Sequence, residues 1–350
     1  MKKPFVKGGK ALTLTAALLC TAAFLGSLMA FGTTAQAETQ AEAQAFTPGV
    51  AGRITSCKIS GDKQNVEIGF SSTGDVTGTD GNIYIFEMQP YEEELGSRSN
   101  FIASSPALSA ASVSVPLNLG TPQDKLYSRF VLAVFDGTKF IKVSQPHYIT
   151  NPELIAKNQT SFNDPLTKKG LVIEIDMLND AFDLGVKHVT TNIAFSQIMG
   201  TGIDYQYDGK TYHFNKGVVD AYDKTISALS NKGMTVTVIL LNDWNPNTPD
   251  LVYPGTQKNS NAFYYMFNAE TEAGFDQTKA IASFLAQHYS GGNPNYGKVS
   301  NWIIGNEINN QQWNYMGAMD LTNYVKAYQK AFRVIYTAIK STNANDRAVS

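Results

Sequence analysis

Cysteine is almost missing from this chain. Of 350 residues two are cysteine, Cys20 inside the leading apolar stretch and Cys57 alone beyond it. No internal disulfide can form in the body of the protein, so core burial must hold it together. Charge is scarce too. With 17% charged residues and a formal net charge of -2, the chain has no basic field that would draw nucleic acid or an anionic membrane surface. The histidines, His147, His188, His213 and His288, show no metal-ligand spacing. Neither a His-Glu-x-x-His run, nor an EF-hand loop, nor a nucleophile elbow occurs, and no metal or cofactor is expected.

What is abundant is apolar and aromatic: 43% hydrophobic and 11% aromatic residues, enough for packed cores. The N-terminus carries Lys2, Lys3, Lys7 and Lys10, an apolar stretch from Ala11 to Phe31, and then Ala35-Gln36-Ala37. This order predicts a signal peptide over residues 1–37, cleaved after Ala37, and a secreted or cell-surface protein. An uncleaved anchor is the alternative, since the apolar stretch is about 20 residues, long enough to span. Export without disulfides points to a bacterial, Gram-positive source. Residues 38–52 are small and polar and read as a linker.

From Arg53 to about Thr150 short β segments alternate with turn signals: RITSCKI, NVEIGFS, NIYIFEM, SVSVPLN, SRFVLAVF and KFIKVS. Val66, Ile68 and Phe70 alternate with polar neighbours, and Asp136-Gly137 is a hairpin signal. An antiparallel β-sandwich over 53–150 is expected, with no catalytic cluster inside it.

Pro146, Pro152 and Pro165 punctuate the boundary, after which the rhythm becomes βα. Strands are expected over 170–175, 186–195, 234–241 and 299–305. Helices are expected over 177–185, 216–233, 275–290 and 320–341, with Asp320 as the N-cap of the last. MTVTVILL is apolar almost throughout, as a strand buried on both faces would be. Alternating β and α implies parallel strands, in either a (β/α)8 barrel or an open doubly wound sheet. No Gly-rich phosphate loop follows the first strand, which disfavours a nucleotide-binding open sheet. A barrel takes about 250 residues, more than remain here. Residues 151–350 are therefore read as the N-terminal half of a TIM barrel, four βα units, with the chain stopping before the next strand.

In parallel α/β folds ligands meet the carboxyl ends of the strands. Those ends offer Glu174 and Asp176; Asn192, with Ser196 and Gln197 beyond; Asn242, Asp243 and Trp244; and Asn306, Glu307, Asn309 and Asn310, with Trp313 and Tyr315 close behind. Amides for hydroxyls, aromatic faces for the C–H side of a pyranose, and a carboxyl for proton transfer are what a sugar site needs. Glu174 and Asp176 can equally cap the first helix or face solvent, and Trp302 is expected to face the core.

The run WIIGNE at the end of the fourth strand resembles the Asn-Glu signature of the clan A retaining glycoside hydrolases. More closely, YITNPE, KKGL, LGVKHVTTNIAFSQIM, WIIGNEIN and AFRVIYTAIKSTNAN are similar to a bacterial family of uncharacterised, exported glycosidase-like barrel proteins with an N-terminal β domain. That resemblance, over about 145–350, implies an exported glycoside hydrolase acting on a poly- or oligosaccharide by double displacement. Glu307 would be the acid/base and Asn306 the ligand of the sugar 2-hydroxyl. The nucleophile would stand on a seventh strand beyond Ser350, and the arginine usual near strand two has no counterpart, Asn192 being nearest. Trp244, Trp313, Asn192, Asn242 and Asp243 complete the expected carbohydrate-binding set. A non-catalytic carbohydrate-binding or cell-surface scaffold protein is the alternative, and a monomer is expected.

Overall fold

The structure, a computed structural model, describes residues 52–72, 78–161 and 164–350, the side chain of Ile175 excepted. The expected signal peptide and, apart from Gly52, the expected linker lie outside the described residues. The described residues form one compact unit.

Its first part is built from β1 (Gly52–Ile59), β2 (Asn65–Ser72), β3 (Asn82–Met88), β4 (Ala103–Pro106), β5 (Ala111–Pro116), β6 (Arg129–Phe135), β7 (Phe140–Lys142) and β8 (His147–Tyr148). Pairing is antiparallel, in two sheets ordered β1-β2-β5 and β4-β3-β6-β7, with β8 also on β6. The period-two alternation of β2 buries Val66, Ile68 and Phe70. They pack with Ile83, Ile85, Phe130 and Leu132 of the second sheet in one core. Two inner faces sharing a core make a sandwich. The Asp136-Gly137 turn works as its sequence suggests: the Asp136 carboxylate accepts from the amides of Thr138 (2.8 Å) and Lys139 (2.9 Å).

The second part comprises β9 (Gly170–Val172), α1 (Leu178–Asp183), β10 (His188–Ala194), α2 (Phe195–Ile198), β11 (Gly202–Tyr207), β12 (Lys210–Asn215), α3 (Lys216–Ser230), β13 (Thr235–Leu241), α4 (Glu272–His288), β14 (Asn301–Ile304), α5 (Leu321–Thr342) and β15 (Arg347–Val349). Side-chain oxygens of Asn215, Thr271 and Asp320 cap α3, α4 and α5 by accepting amides of the first turn. The main sheet is ordered β9-β10-β13-β14-β15 and is parallel throughout.

That order decides between the two expected architectures. A doubly wound sheet reverses its strand order to bring helices to both faces. Here the strands run in chain order, and right-handed crossovers then put every helix on one face. Val189, Ile193, Val236, Val238, Leu240, Trp302 and Ile304 are buried on that face, in one core with Val219, Ile226, Leu285 and Ile335 of α3, α4 and α5. The other face presents Thr190, Asn192, Thr237, Ile239, Asn301 and Ile303, half-buried or exposed. The sheet is an open arc, and among the described residues no closed barrel is formed.

Two expectations need correction. The strand expected to be missing after α5 is present: β15 pairs with β14 through Arg347, Ala348 and Val349, giving the arc a fifth strand. The hairpin of β11 and β12, between the second strand and its helix, was not anticipated. Asp208 (φ 51°) and Gly209 (φ 73°) form its turn in the left-handed region.

The two parts are tied closely. Lys330 of α5, itself buried, bonds Glu93 of the sandwich and Glu270 (2.5 Å). Arg333 donates to the Ile149 carbonyl at 2.7 Å, and Tyr91 meets Phe275 at 5.6 Å between ring centres.

Candidate active site at the strand ends

The site is built where β14 stops. Gly305 extends the ladder by one bond, donating to Leu240 O at 3.0 Å, and then turns the chain at φ 79°. A side chain there would stand 2.9 Å from the Asn314 Oδ1. Two residues on, Glu307 also adopts a left-handed backbone, φ 45°, and its side chain is exposed. For a residue with a Cβ this conformation costs about 1–2 kcal/mol. Lys63, Asn118 and Asp208, the other non-glycine residues so placed among the described residues, sit in turns between antiparallel strands or just after one. Glu307 is the one at the carboxyl end of a parallel strand.

What holds it there is a set of bonds to the carbonyls around it. Tyr328 donates to Ile304 O (2.6 Å), Asn314 Nδ2 to Asn306 O (2.8 Å), the Asn310 amide to Glu307 O (2.7 Å) and Tyr324 to Ile308 O (2.8 Å). Tyr324 and Tyr328 stand four residues apart on α5, hence on one face of the helix. Burial pushes the Tyr324 hydroxyl up to about 12 and raises that of Tyr328 as well, so both remain donors. A strained residue over-determined by its surroundings is what a functional position looks like.

The neighbouring strand ends supply polar groups in register. Leu240 pairs with Ile304, so Asp243 and Glu307 each lie three residues past the same rung. Asp243 accepts from Gln197 Nε2 at 2.5 Å, and its amide donates to Ser196 Oγ at 3.2 Å. Val172 pairs with Thr190, which sets Glu174 and Asn192 level with one another, both exposed. Burial raises the hydroxyls of Tyr264 and Tyr222, the latter to about 12, and the charges of Asp243 and Glu174 add to both shifts. The charges at the first and third strand ends therefore act on the same two tyrosines. Asp176 is exposed in the short turn Ile175–Met177.

Aromatic rings line the loops beyond. Residues after β13 and β14 are laced together: Phe263 N donates to Gln312 O (2.8 Å), Tyr315 N to Tyr264 O (3.0 Å) and Met266 N to Tyr315 O (3.0 Å). Trp313 stacks on Tyr264 with centres 5.6 Å apart at 25°, and Phe263 lies 5.0 Å from it. Trp244, half-buried, packs 5.3 Å from Tyr265.

Asn242 does not reach this rim. It is fully buried; its Nδ2 donates to Leu251 O at 2.8 Å and its backbone carbonyl accepts from Tyr265 N at 2.8 Å, so it braces the loop after β13 rather than offering an amide to a ligand. Asn306 is half-buried with its carbonyl taken by Asn314. Trp302 faces the helical core as expected, its Nε1 donating to Asp346 at 3.0 Å. His288 pairs with Asp223 at 2.8 Å between α3 and α4. Among the described residues no group of three or more His, Cys, Asp or Glu could hold a metal ion, and no helix is long and apolar enough to cross a membrane. Asn314, Tyr324 and Tyr328 were not anticipated; the i, i+4 tyrosine pair was the only local signal for them.

A family model described as a family of unknown function (DUF5722) matches residues 161–350, more than half of the chain, and the chain belongs to that family. Solved structures similar to it include glycoside hydrolases. The beta-glycosidase from the hyperthermophile Thermosphaera aggregans is 15% identical with a TM-score of 0.32, over 50% of this chain and 41% of that one. The family 1 β-glucosidase from Thermotoga maritima is 19% identical with a TM-score of 0.32, over 50% and 35%. The endo-beta-1,4-mannanase from Thermotoga petrophila is 14% identical with a TM-score of 0.34, over 54% and 42%. The chain spans less than half the length of each. Among curated proteins, none matches.

Proposed function

We propose that this protein is an exported glycoside hydrolase of the retaining type, with Glu307 as its acid/base. The observation that carries the reading is the placement of Glu307: exposed at the carboxyl end of a parallel barrel-type strand, in a strained backbone held from both sides. In this role its protonated carboxyl gives a proton to the leaving glycosidic oxygen as a nucleophile about 5–5.5 Å away attacks the anomeric carbon. The resulting carboxylate then takes a proton from the water that releases the sugar. Asn306 lies beside it, Asn192 and Asp243 offer hydrogen bonds to sugar hydroxyls from the neighbouring strand ends, and Trp244 and Trp313 offer ring faces. In this reading the nucleophile belongs to a later strand of a complete barrel.

The test is turnover of a panel of aryl glycosides and polysaccharides by the full-length protein beside Glu307→Gln. Loss of turnover in the variant, with an unchanged melting profile, supports the assignment. Equal turnover by both removes it. No turnover by either, with sugar binding retained, would make the protein a carbohydrate-binding scaffold instead.

A further inference from the structure

Phe263 is 59% exposed, an unusual position for a phenylalanine. It is not a loose tip: its amide is bonded to Gln312 O at 2.8 Å, and the next residue, Tyr264, also donates to that carbonyl at 3.3 Å. Its ring rests 5.0 Å from Trp313, which Tyr264 backs on another side. Trp313 is six residues beyond Glu307 in the same loop. A solvent-facing aromatic ring tied to the loop that carries the candidate acid/base is suited to the C–H face of a pyranose, which needs apolar contact without full desolvation.

The charge around it narrows the ligand further. The loop stretches QKNSNAFYY and NEINNQQWNYM carry exposed amides at Gln257, Asn261, Asn309 and Gln312, one cation, Lys258, and one anion, Glu307 itself. No arginine occurs anywhere between Arg129 and Arg333, so the loops after β9, β10, β13 and β14 lack the bidentate group that recognises carboxylate, sulfate or phosphate.

We propose that Phe263, with Trp313 and Tyr264 behind it, is a subsite for a neutral polysaccharide, holding a sugar unit of the chain other than the one that meets Glu307. This rests on the reading of the rim as a sugar site and deepens it: the substrate is an uncharged polymer chain rather than an anionic glycan. Several sugars then contribute to binding, and Phe263 acts on affinity for the chain rather than on the chemistry at Glu307.

The experiment is affinity electrophoresis of the full-length protein in gels containing mixed-linkage β-glucan, glucomannan, polygalacturonate or alginate. Each gel compares Glu307→Gln, Glu307→Gln with Phe263→Ala, and Glu307→Gln with Phe263→Tyr. Turnover is not needed for the readout, so a failure of the hydrolytic reading leaves this result interpretable by itself. The expected result is retardation by a neutral polymer, weakened at least ten-fold by Phe263→Ala and kept by Phe263→Tyr, with no retardation by the anionic polymers. No retardation by either neutral polymer, equal retardation of the alanine variant, or stronger retardation by polygalacturonate or alginate overturns it. Because Phe263 is exposed, a thermal melt of the alanine variant is expected to match that of its parent.

Discussion

The Tyr328 hydroxyl donates to the carbonyl of Ile304, the last residue of β14, at 2.6 Å. One turn earlier on the same helix, Tyr324 does the same for Ile308 at 2.8 Å. Helix α5 thus grips the chain before and after Glu307. Each single change to phenylalanine leaves a carbonyl without its donor and should cost about 1–2 kcal/mol in chemical denaturation. The double variant should also release the strained segment and lower kcat at least ten-fold with KM within two-fold. An unchanged kcat would show that the tyrosines only stabilise the fold.

Strain at Glu307 separates stability from activity. Glycine accepts φ 45° without the Cβ clash, so Glu307→Gly should raise stability by about 0.5–1 kcal/mol, net of the greater freedom glycine gives the unfolded chain. Glu307→Gln should leave stability unchanged, and both should lack turnover. A destabilised glycine variant would show that the left-handed backbone carries no strain.

At Gly305 the opposite holds. Its φ of 79° and the Asn314 oxygen 2.9 Å from a prospective Cβ predict that Gly305→Ala costs about 2 kcal/mol or more. The displaced Asn314 would also free the Asn306 carbonyl, so activity should fall with stability. Differential scanning calorimetry together with kinetics reads both.

Asp346 makes a pH prediction. Burial pushes its carboxyl up to about 6 from the ordinary 3.8, against the opposing pull of the Trp302 N–H and of Lys298, Asn343 and Lys340. The folded state therefore holds this proton more tightly than the unfolded chain. Its contribution is most favourable below about pH 4 and is lost as pH rises through about 6. Asp346→Asn, which keeps an acceptor for Trp302, should be more stable than the parent by up to about 3 kcal/mol at pH 7. That difference should shrink towards pH 4.5 in urea titrations. A difference independent of pH would contradict the assignment.

The buried Lys330 bonds to Glu93 and Glu270, and the sandwich and the βα part lie in one compact unit. Calorimetry of the wild type should therefore show a single transition. Lys330→Ala, which leaves Glu270 without this cation while Glu93 keeps Arg129 at 3.3 Å, should cost about 1–3 kcal/mol or split the transition in two. Two transitions in the wild type would mean that the parts unfold independently.

Local signals carried much of this fold. Alternation in NVEIGF, the apolar run of β13 and the cap Asp320 each depend on residues near in sequence, and each marks its element in the structure, although β13 is fully buried on one face only, Thr237 and Ile239 on the other being half-buried. Glu307 was legible because a carboxylate that ends an apolar strand is a local pattern. The grip of Asn314, Tyr324 and Tyr328 was not, since it depends on how α5 docks against the end of β14. Asn242 misled for a similar reason: an amide at a strand end reads as a ligand until the loop from Asp243 to Asn268 folds over it. The Asp208-Gly209 turn was visible in the sequence, but a hairpin interrupting a βα unit runs against the βα rhythm around it.

The most direct measurement is azide rescue of Glu307→Ala in the full-length protein, using an aryl glycoside with a good leaving group. Such a leaving group departs without protonation, so a missing acid/base slows chiefly the second step, which a small anion can complete. The account predicts a glycosyl azide of retained anomeric configuration, seen by NMR, with turnover restored by azide in the variant and not raised in the wild type. Turnover by Glu307→Ala at the wild-type rate without azide would contradict the role given to Glu307.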